Sequence, residues 1–243
     1  MIPPNSIFLK PKCIFLAVDK GIAVTNKHIR YISNELVAIE RETNLKFSSV
    51  DYPKLNIVAS NKLGSSDTIG AYVSTNGNIY LLSTGYLNVV ATYPFIIYHE
   101  GLHSIRWRND YLGSNTAFEE GLAQFVTKTL LLTEGFIGNN HPDAVPVLNT
   151  YYLPQIMGIS TQIERIFSTG GNITHSLAES TGEVFFSYLE DNYGAFRKNV
   201  YAINGRLAVS ELKTLYGNDV FENFAPWLVT NRSRILGIRD TNW

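Results

Sequence analysis

Residues 92–107 read TYPFIIYHEGLHSIRW, and the pattern of the chain changes at this stretch. Thr92 can cap a helix, and Pro94 falls in its first turn, where a missing amide costs little. The helix would carry His99-Glu100-Gly101-Leu102-His103, an HExxH motif that a shuffled chain of this composition would contain roughly once in two hundred. Residues four apart lie on one helix face, so both histidines can bind a single zinc ion.

A catalytic zinc also needs a third protein ligand and an open position for water. The candidates are Glu119 and Glu120, near the start of a second predicted helix from Thr116 to Leu132. Adjacent residues point about 100° apart around a helix, so only one of the two can face the metal. Spacing alone does not choose between them.

The third ligand can be assigned through a resemblance. HExxH followed by Glu120-Gly121-Leu122-Ala123 resembles the gluzincin-type zinc metallopeptidases, which have a peptidase-MA-like domain. Residues 179–194 and stretches within 211–228 are similar to later helices of such domains, so the resemblance covers roughly residues 69–230. In that family the glutamate directly before the glycine is the third ligand. The resemblance therefore implies that His99, His103 and Glu120 hold one Zn²⁺ ion.

The motif also predicts catalytic roles. Zinc makes water a nucleophile near neutral pH, and Glu100, beside the ligands but not one of them, is the expected general base. The resemblance implies His175, which opens a later helix, as the donor to the developing oxyanion, although the family often has a tyrosine there. Tyr151 and Tyr152 are weaker candidates for that role. Gln124 is a candidate to hydrogen-bond a ligand histidine.

The first third of the chain has mixed patterns. An Asn76-Gly77 dipeptide, typical of a tight hairpin turn, separates two of its apolar runs. The predicted elements are a strand at Lys12–Val18, a helix at Thr25–Glu42, a strand at Lys54–Ala59 and hairpin strands at Ile69–Thr75 and Asn78–Ser83. The second hairpin strand is expected to be an edge strand that aligns an extended peptide substrate over the metal.

Helical patterns follow, over Thr116–Leu132, Leu153–Phe167, Ser176–Asn192, Ser210–Tyr216 and Asp219–Thr230. We therefore expect an α+β fold: a small N-terminal antiparallel or mixed sheet with a helix in residues 1–91, and a mainly helical subdomain in residues 92–243. Zinc would lie in a cleft between the two, within one compact catalytic domain.

Composition restricts the function further. A net charge of -1 over 243 residues disfavours nucleic acid as a partner, and Cys13 is the single cysteine, so a metal must be held by His and carboxylate. The chain shows neither a signal-peptide pattern nor a membrane span, which favours a cytoplasmic protein; the oligomeric state stays open. His28 is interpreted as a surface residue and His141 as a loop residue.

These features predict a zinc metallopeptidase that hydrolyses peptide or protein substrates. Two alternatives stay open: a catalytically inactive peptidase-like module that binds a protein partner, and a zinc hydrolase of a non-peptide amide. The same water-activating residues would serve both kinds of hydrolase.

Overall fold

The computed structural model describes residues 6–9, 14–18, 26–47, 54–58, 70–73, 78–82, 92–133, 152–194 and 197–240. The chain divides into two compact units, Met1–Asp110 and Tyr111–Trp243, and each is described by itself.

The described part of the first unit contains five short strands and two helices. They are β1 (Ser6–Leu9), β2 (Ile14–Val18), α1 (Asn26–Thr43), β3 (Lys54–Val58), β4 (Gly70–Val73), β5 (Asn78–Leu82) and α2 (Thr92–Arg108). The strand order is β1-β2-β3-β5-β4. The central pairs β2–β3 and β3–β5 are parallel, and the outer pairs β1–β2 and β4–β5 are antiparallel. Val73 pairs with Asn78, so the predicted hairpin is confirmed, although Asn76-Gly77 lies outside the described residues.

The predicted edge position of the second hairpin strand is wrong. β5 lies between β3 and β4, with a pairing partner on each side, whereas β1 and β4 are the outer strands of the described sheet. Because the backbone groups of an internal strand are already paired in the sheet, β5 cannot accept an added peptide strand.

Helix α1 packs against α2 through an apolar stripe. Ile32, Leu36 and Ile39 are 0% exposed. A Cβ atom on Gly101 would lie 2.5 Å from Ile39 Cδ1 and 3.5 Å from Leu36 Cδ2, so the glycine permits the close approach of the two helices. Gly101 is about half a helical turn away from both His99 and His103, and α1 therefore covers the face of α2 opposite the histidines.

The described part of the second unit is helical. Its helices are α3 (Thr116–Thr133), α4 (Leu153–Ile159), α5 (Ile163–Thr169), α6 (His175–Tyr193), α7 (Arg197–Val200), α8 (Ala208–Tyr216) and α9 (Phe224–Asp240), with 3₁₀ turns at Ser160–Gln162 and Gly205–Leu207. α3 and α6 pack closely, and a buried aromatic cluster comprises Phe118, Phe167, Phe185, Phe186, Phe221 and Phe224. The predicted helix at Leu153–Phe167 is interrupted by the first 3₁₀ turn.

The expected α+β class is wrong, because the described chain is mostly helical. Each strand is only four or five residues long, whereas five of the described helices have 17 residues or more. The expected boundary at residue 91/92 also differs from the structure, in which the division follows Asp110. Helix α2 belongs to the first unit because it packs on α1, β4 and β5. None of the described helices has the length and hydropathy of a membrane-spanning segment.

Candidate metal centre

His99 and His103 lie on one face of α2, as the spacing predicts. Their Nε2 atoms are 3.3 Å apart, and the ring centroids are 5.0 Å apart at an interplanar angle of 77°. His103 is 5% exposed and His99 is partly exposed. Phe95, one turn earlier, lies beside the His99 ring with a centroid distance of 6.1 Å. Two imidazole nitrogens that converge in this way can share a proton or bind one cation.

Glu100 follows His99 on α2 and is partly exposed. It lies about 100° around the helix from His99, so its carboxylate is beside the histidine pair rather than between the two rings. This placement suits a group that exchanges protons with solvent near the two histidines.

The start of α3 is fixed by Asn115. Its Oδ1 accepts a hydrogen bond from the Phe118 amide at 2.9 Å, which satisfies one of the unpaired amides of the first turn. Its Nδ2 donates to the carbonyls of Ile166 and Phe167 at 2.8 and 2.7 Å. The cap thus anchors the helix that carries Glu119 and Glu120.

The two candidate glutamates have different surroundings. Glu119 is buried at 5% exposure, and its Oε1 accepts a hydrogen bond from the Gly113 amide at 2.7 Å. Glu120, the next residue of α3, is partly exposed. The sequence alone could not make this distinction, because it depends on the path of the loop before α3.

A buried polar pair joins α3 to α6. Lys128 Nζ lies 3.4 Å from Glu183 Oε1, and the Glu183 residue is 3% exposed. Burial raises the pKa of the Glu183 carboxyl, and the Lys128 ammonium partly opposes that shift. Gln124 lies one turn before Lys128 and is 7% exposed. Its expected hydrogen bond to a ligand histidine stays a prediction.

The remaining predicted site residues lie on or beside other helices, or outside the described residues. His175 is the first residue of α6 and is exposed; Thr174 caps this helix by accepting the Leu177 amide at 3.3 Å. Its oxyanion role stays a prediction. Tyr152 is partly exposed before α4, whereas Tyr151 and His141 lie outside the described residues. His28 lies in α1, and its side chain is outside the described part.

Sequence reasoning missed Glu35. This residue of α1 is 1% exposed, and neither carboxylate oxygen has a hydrogen-bond partner within the described part of the chain. Its position was readable from the sequence, because Glu35 falls three residues after Ile32 and four before Ile39, on the buried stripe. It belongs to the packing of α1 rather than to the face of α2 that carries the histidines.

Comparison with models of known protein families and with curated proteins finds no match.

Proposed function

We propose that this protein is a zinc-dependent peptidase. The observation that carries the proposal is the convergence of the His99 and His103 Nε2 atoms, 3.3 Å apart on one face of α2, with Glu100 beside them. Imidazole nitrogen is a preferred zinc ligand, and a glutamate beside two ligand histidines can accept the proton of an attacking water.

Glu120 completes the proposed ligand set. We assign Glu120 of α3 as the third ligand beside His99 and His103, since the glutamate directly before the glycine has this role in the metallopeptidases that the motif resembles. The hydrogen bond from Gly113 to the buried Glu119 carboxylate favours Glu120 over its neighbour. Two histidines and one glutamate are a donor set of catalytic zinc sites, which leave a fourth position for water or substrate.

Different residues of the chain would perform different steps of the proposed hydrolysis. Zinc, when bound, supplies a Lewis acid that makes water nucleophilic near neutral pH. Glu100 accepts the proton of the attacking water and returns it to the leaving nitrogen, so the peptide bond is cleaved with one water consumed. His175 is the proposed donor to the oxyanion that develops on the carbonyl.

The test is metal analysis combined with peptide cleavage. Protein purified without chelators should contain about one zinc per chain, as a single site requires, and should cleave members of a mixed peptide library. A wild-type protein that binds no zinc would overturn the proposal. Bound zinc without any turnover would exclude the peptidase and leave the non-catalytic binding module or a hydrolase of other amides.

Two variants separate metal binding from catalysis. Glu100→Gln should keep zinc and lose about 10²–10⁴-fold in cleavage rate, because it removes the base and no ligand. His103→Ala should lose both zinc and cleavage. Glu222→Gln, at an exposed glutamate beside α9, is the matched control and should change neither. Full activity in Glu100→Gln would contradict the assigned base.

A further inference from the structure

Glu119 lies at a contact between two loops of the second unit. Its Oε1 accepts the Gly113 amide at 2.7 Å, and the Gly205 amide donates to the Tyr111 carbonyl at 2.8 Å. A Cβ atom on Gly205 would overlap Glu119 Oε1 and lie 2.8 Å from the Gly113 nitrogen. We call Glu119, Gly113 and Gly205 the Glu119 junction. It joins the loop that precedes α3 to the 3₁₀ turn at Gly205–Leu207.

The junction fixes the first turn of α3. Glu119 is 5% exposed, and a buried carboxylate is tolerated only where hydrogen-bond donors compensate for its lost hydration. The Gly113 amide supplies such a donor, and the first turn of a helix favours negative charge. The Glu119 side chain is therefore held against the loop that precedes α3.

Gly121, the residue after Glu120, is also fixed by a close contact. A Cβ atom on Gly121 would overlap the backbone of Gly182 in α6 and lie 2.8 Å from the Glu183 nitrogen. Glu119 and Gly121 are thus held by the loop and by α6 respectively. Successive side chains diverge by about 100°, so Glu120 projects in a direction that differs from both of these contacts.

We propose that Glu119 is a positioning residue, which holds the loop before α3 and thereby sets the direction in which Glu120 presents its carboxylate. This inference rests on the proposed function, in which Glu120 is the metal ligand. It assigns the two adjacent glutamates different tasks: Glu120 binds zinc, and Glu119 binds the loop.

The experiment compares Glu119→Gln, Glu119→Ala and Glu120→Gln in the full chain. Glutamine keeps an acceptor oxygen for the Gly113 amide, whereas alanine removes it. Zinc affinity is measured by competition with a chromophoric chelator, and ligand geometry by the visible absorption of the Co²⁺-loaded protein. We expect Glu119→Gln to match the wild type, Glu119→Ala to bind zinc about 10–100-fold more weakly, and Glu120→Gln to lose tight binding with a changed Co²⁺ spectrum.

Loss of zinc binding in Glu119→Gln equal to that in Glu120→Gln would overturn the proposal and make Glu119 a ligand. Unchanged zinc affinity in a folded Glu119→Ala variant would also overturn it. Failure of the proposed function is distinct, because the wild type would then bind no zinc. The melting temperatures of the metal-free proteins still test the loop contact: Glu119→Ala should melt lower than the wild type, and Glu119→Gln should not.

Discussion

Glu35 is a buried acid in the packing of α1. It is 1% exposed, and burial raises the pKa of its carboxyl from 4.5 to about 8. The shift arises from desolvation, since water stabilises the ionised form and the packed helix surface does not. Glu35 therefore carries its proton in the folded protein over a pH range in which the unfolded chain has lost it.

The raised pKa predicts that stability falls as the pH rises. Below pH 4.5 both states are protonated, and between pH 4.5 and about 8 only the folded state holds the proton. In this window the free energy of unfolding should decrease by about 1.4 kcal/mol per pH unit from this group, and above it the loss is complete. Urea unfolding of the wild type and of Glu35→Gln at pH 5 to 9 measures the difference, which should shrink or change sign as the pH rises.

Glu222→Gln is the matched control, because Glu222 is exposed. Its stability should follow the wild-type pH dependence. If the free energy of unfolding of Glu35→Gln and of the wild type depended on pH in the same way, Glu35 would not be a buried carboxyl that keeps its proton.

Residue roles differ in how far the sequence reveals them. His99 and His103 could be assigned to one face because helix geometry fixes the relation of residues four apart, and the structure confirms it. The hydrogen bond between Glu119 and Gly113 could not be foreseen, because it depends on a loop whose path no periodicity specifies. Spacing therefore predicts a pair of candidate glutamates and the family resemblance favours Glu120, whereas the contact of Glu119 with the loop is seen only in the structure.

At the scale of elements, the close packing of α3 on α6 depends on glycine in both helices. A Cβ atom on Gly182 would overlap the Ala117 carbonyl oxygen and lie 2.7 Å from the Gly121 Cα. These are backbone atoms, so a larger residue cannot be accommodated by a side-chain rotation. The short distance between α3 and α6 at this contact therefore requires that Gly121 and Gly182 have no Cβ atom.

Gly182→Ala should therefore destabilise the protein although alanine is the better helix former. The gain in helix propensity is about 1 kcal/mol, and overpacking of a close contact costs about 1–3 kcal/mol or more. Gly158 in α4 is the matched control, because it is exposed and a Cβ atom there would meet nothing within 4 Å. Thermal unfolding should show a lower melting temperature for Gly182→Ala and an unchanged or higher one for Gly158→Ala. An unchanged melting temperature in Gly182→Ala would contradict the close contact between α3 and α6.

The elements themselves were partly predictable. The predicted helices at Thr25–Glu42 and Thr116–Leu132 match α1 and α3 within a residue, because their apolar spacing is regular. The position of β5 inside the sheet was not predictable, since it depends on pairing with β3, which lies twenty residues earlier in the chain. The α+β expectation is wrong because each described strand is short, whereas long helices dominate the described chain.

At the scale of the whole molecule, the proposed zinc site links metal binding to folding. An unfolded chain does not hold the proposed ligands His99, His103 and Glu120 together, so zinc would bind the folded state preferentially. A ligand that binds only the folded state raises the free energy of unfolding by RT ln(1 + [L]/Kd), which is about 1.4 kcal/mol for each tenfold rise in free zinc above Kd. Stability should therefore depend on the free zinc concentration.

Thermal unfolding in zinc-buffered solutions tests this dependence. The melting temperature of the wild type should rise with the logarithm of free zinc and fall when a chelator is added. Glu100→Gln should respond like the wild type because it keeps all three proposed ligands, whereas His103→Ala and Glu120→Gln should respond weakly or not at all. Mg²⁺, a hard cation that prefers oxygen ligands, should leave every variant unchanged. Equal responses to zinc in the wild type and in His103→Ala would show that the metal acts elsewhere, and would remove the physical basis for the proposed catalytic centre.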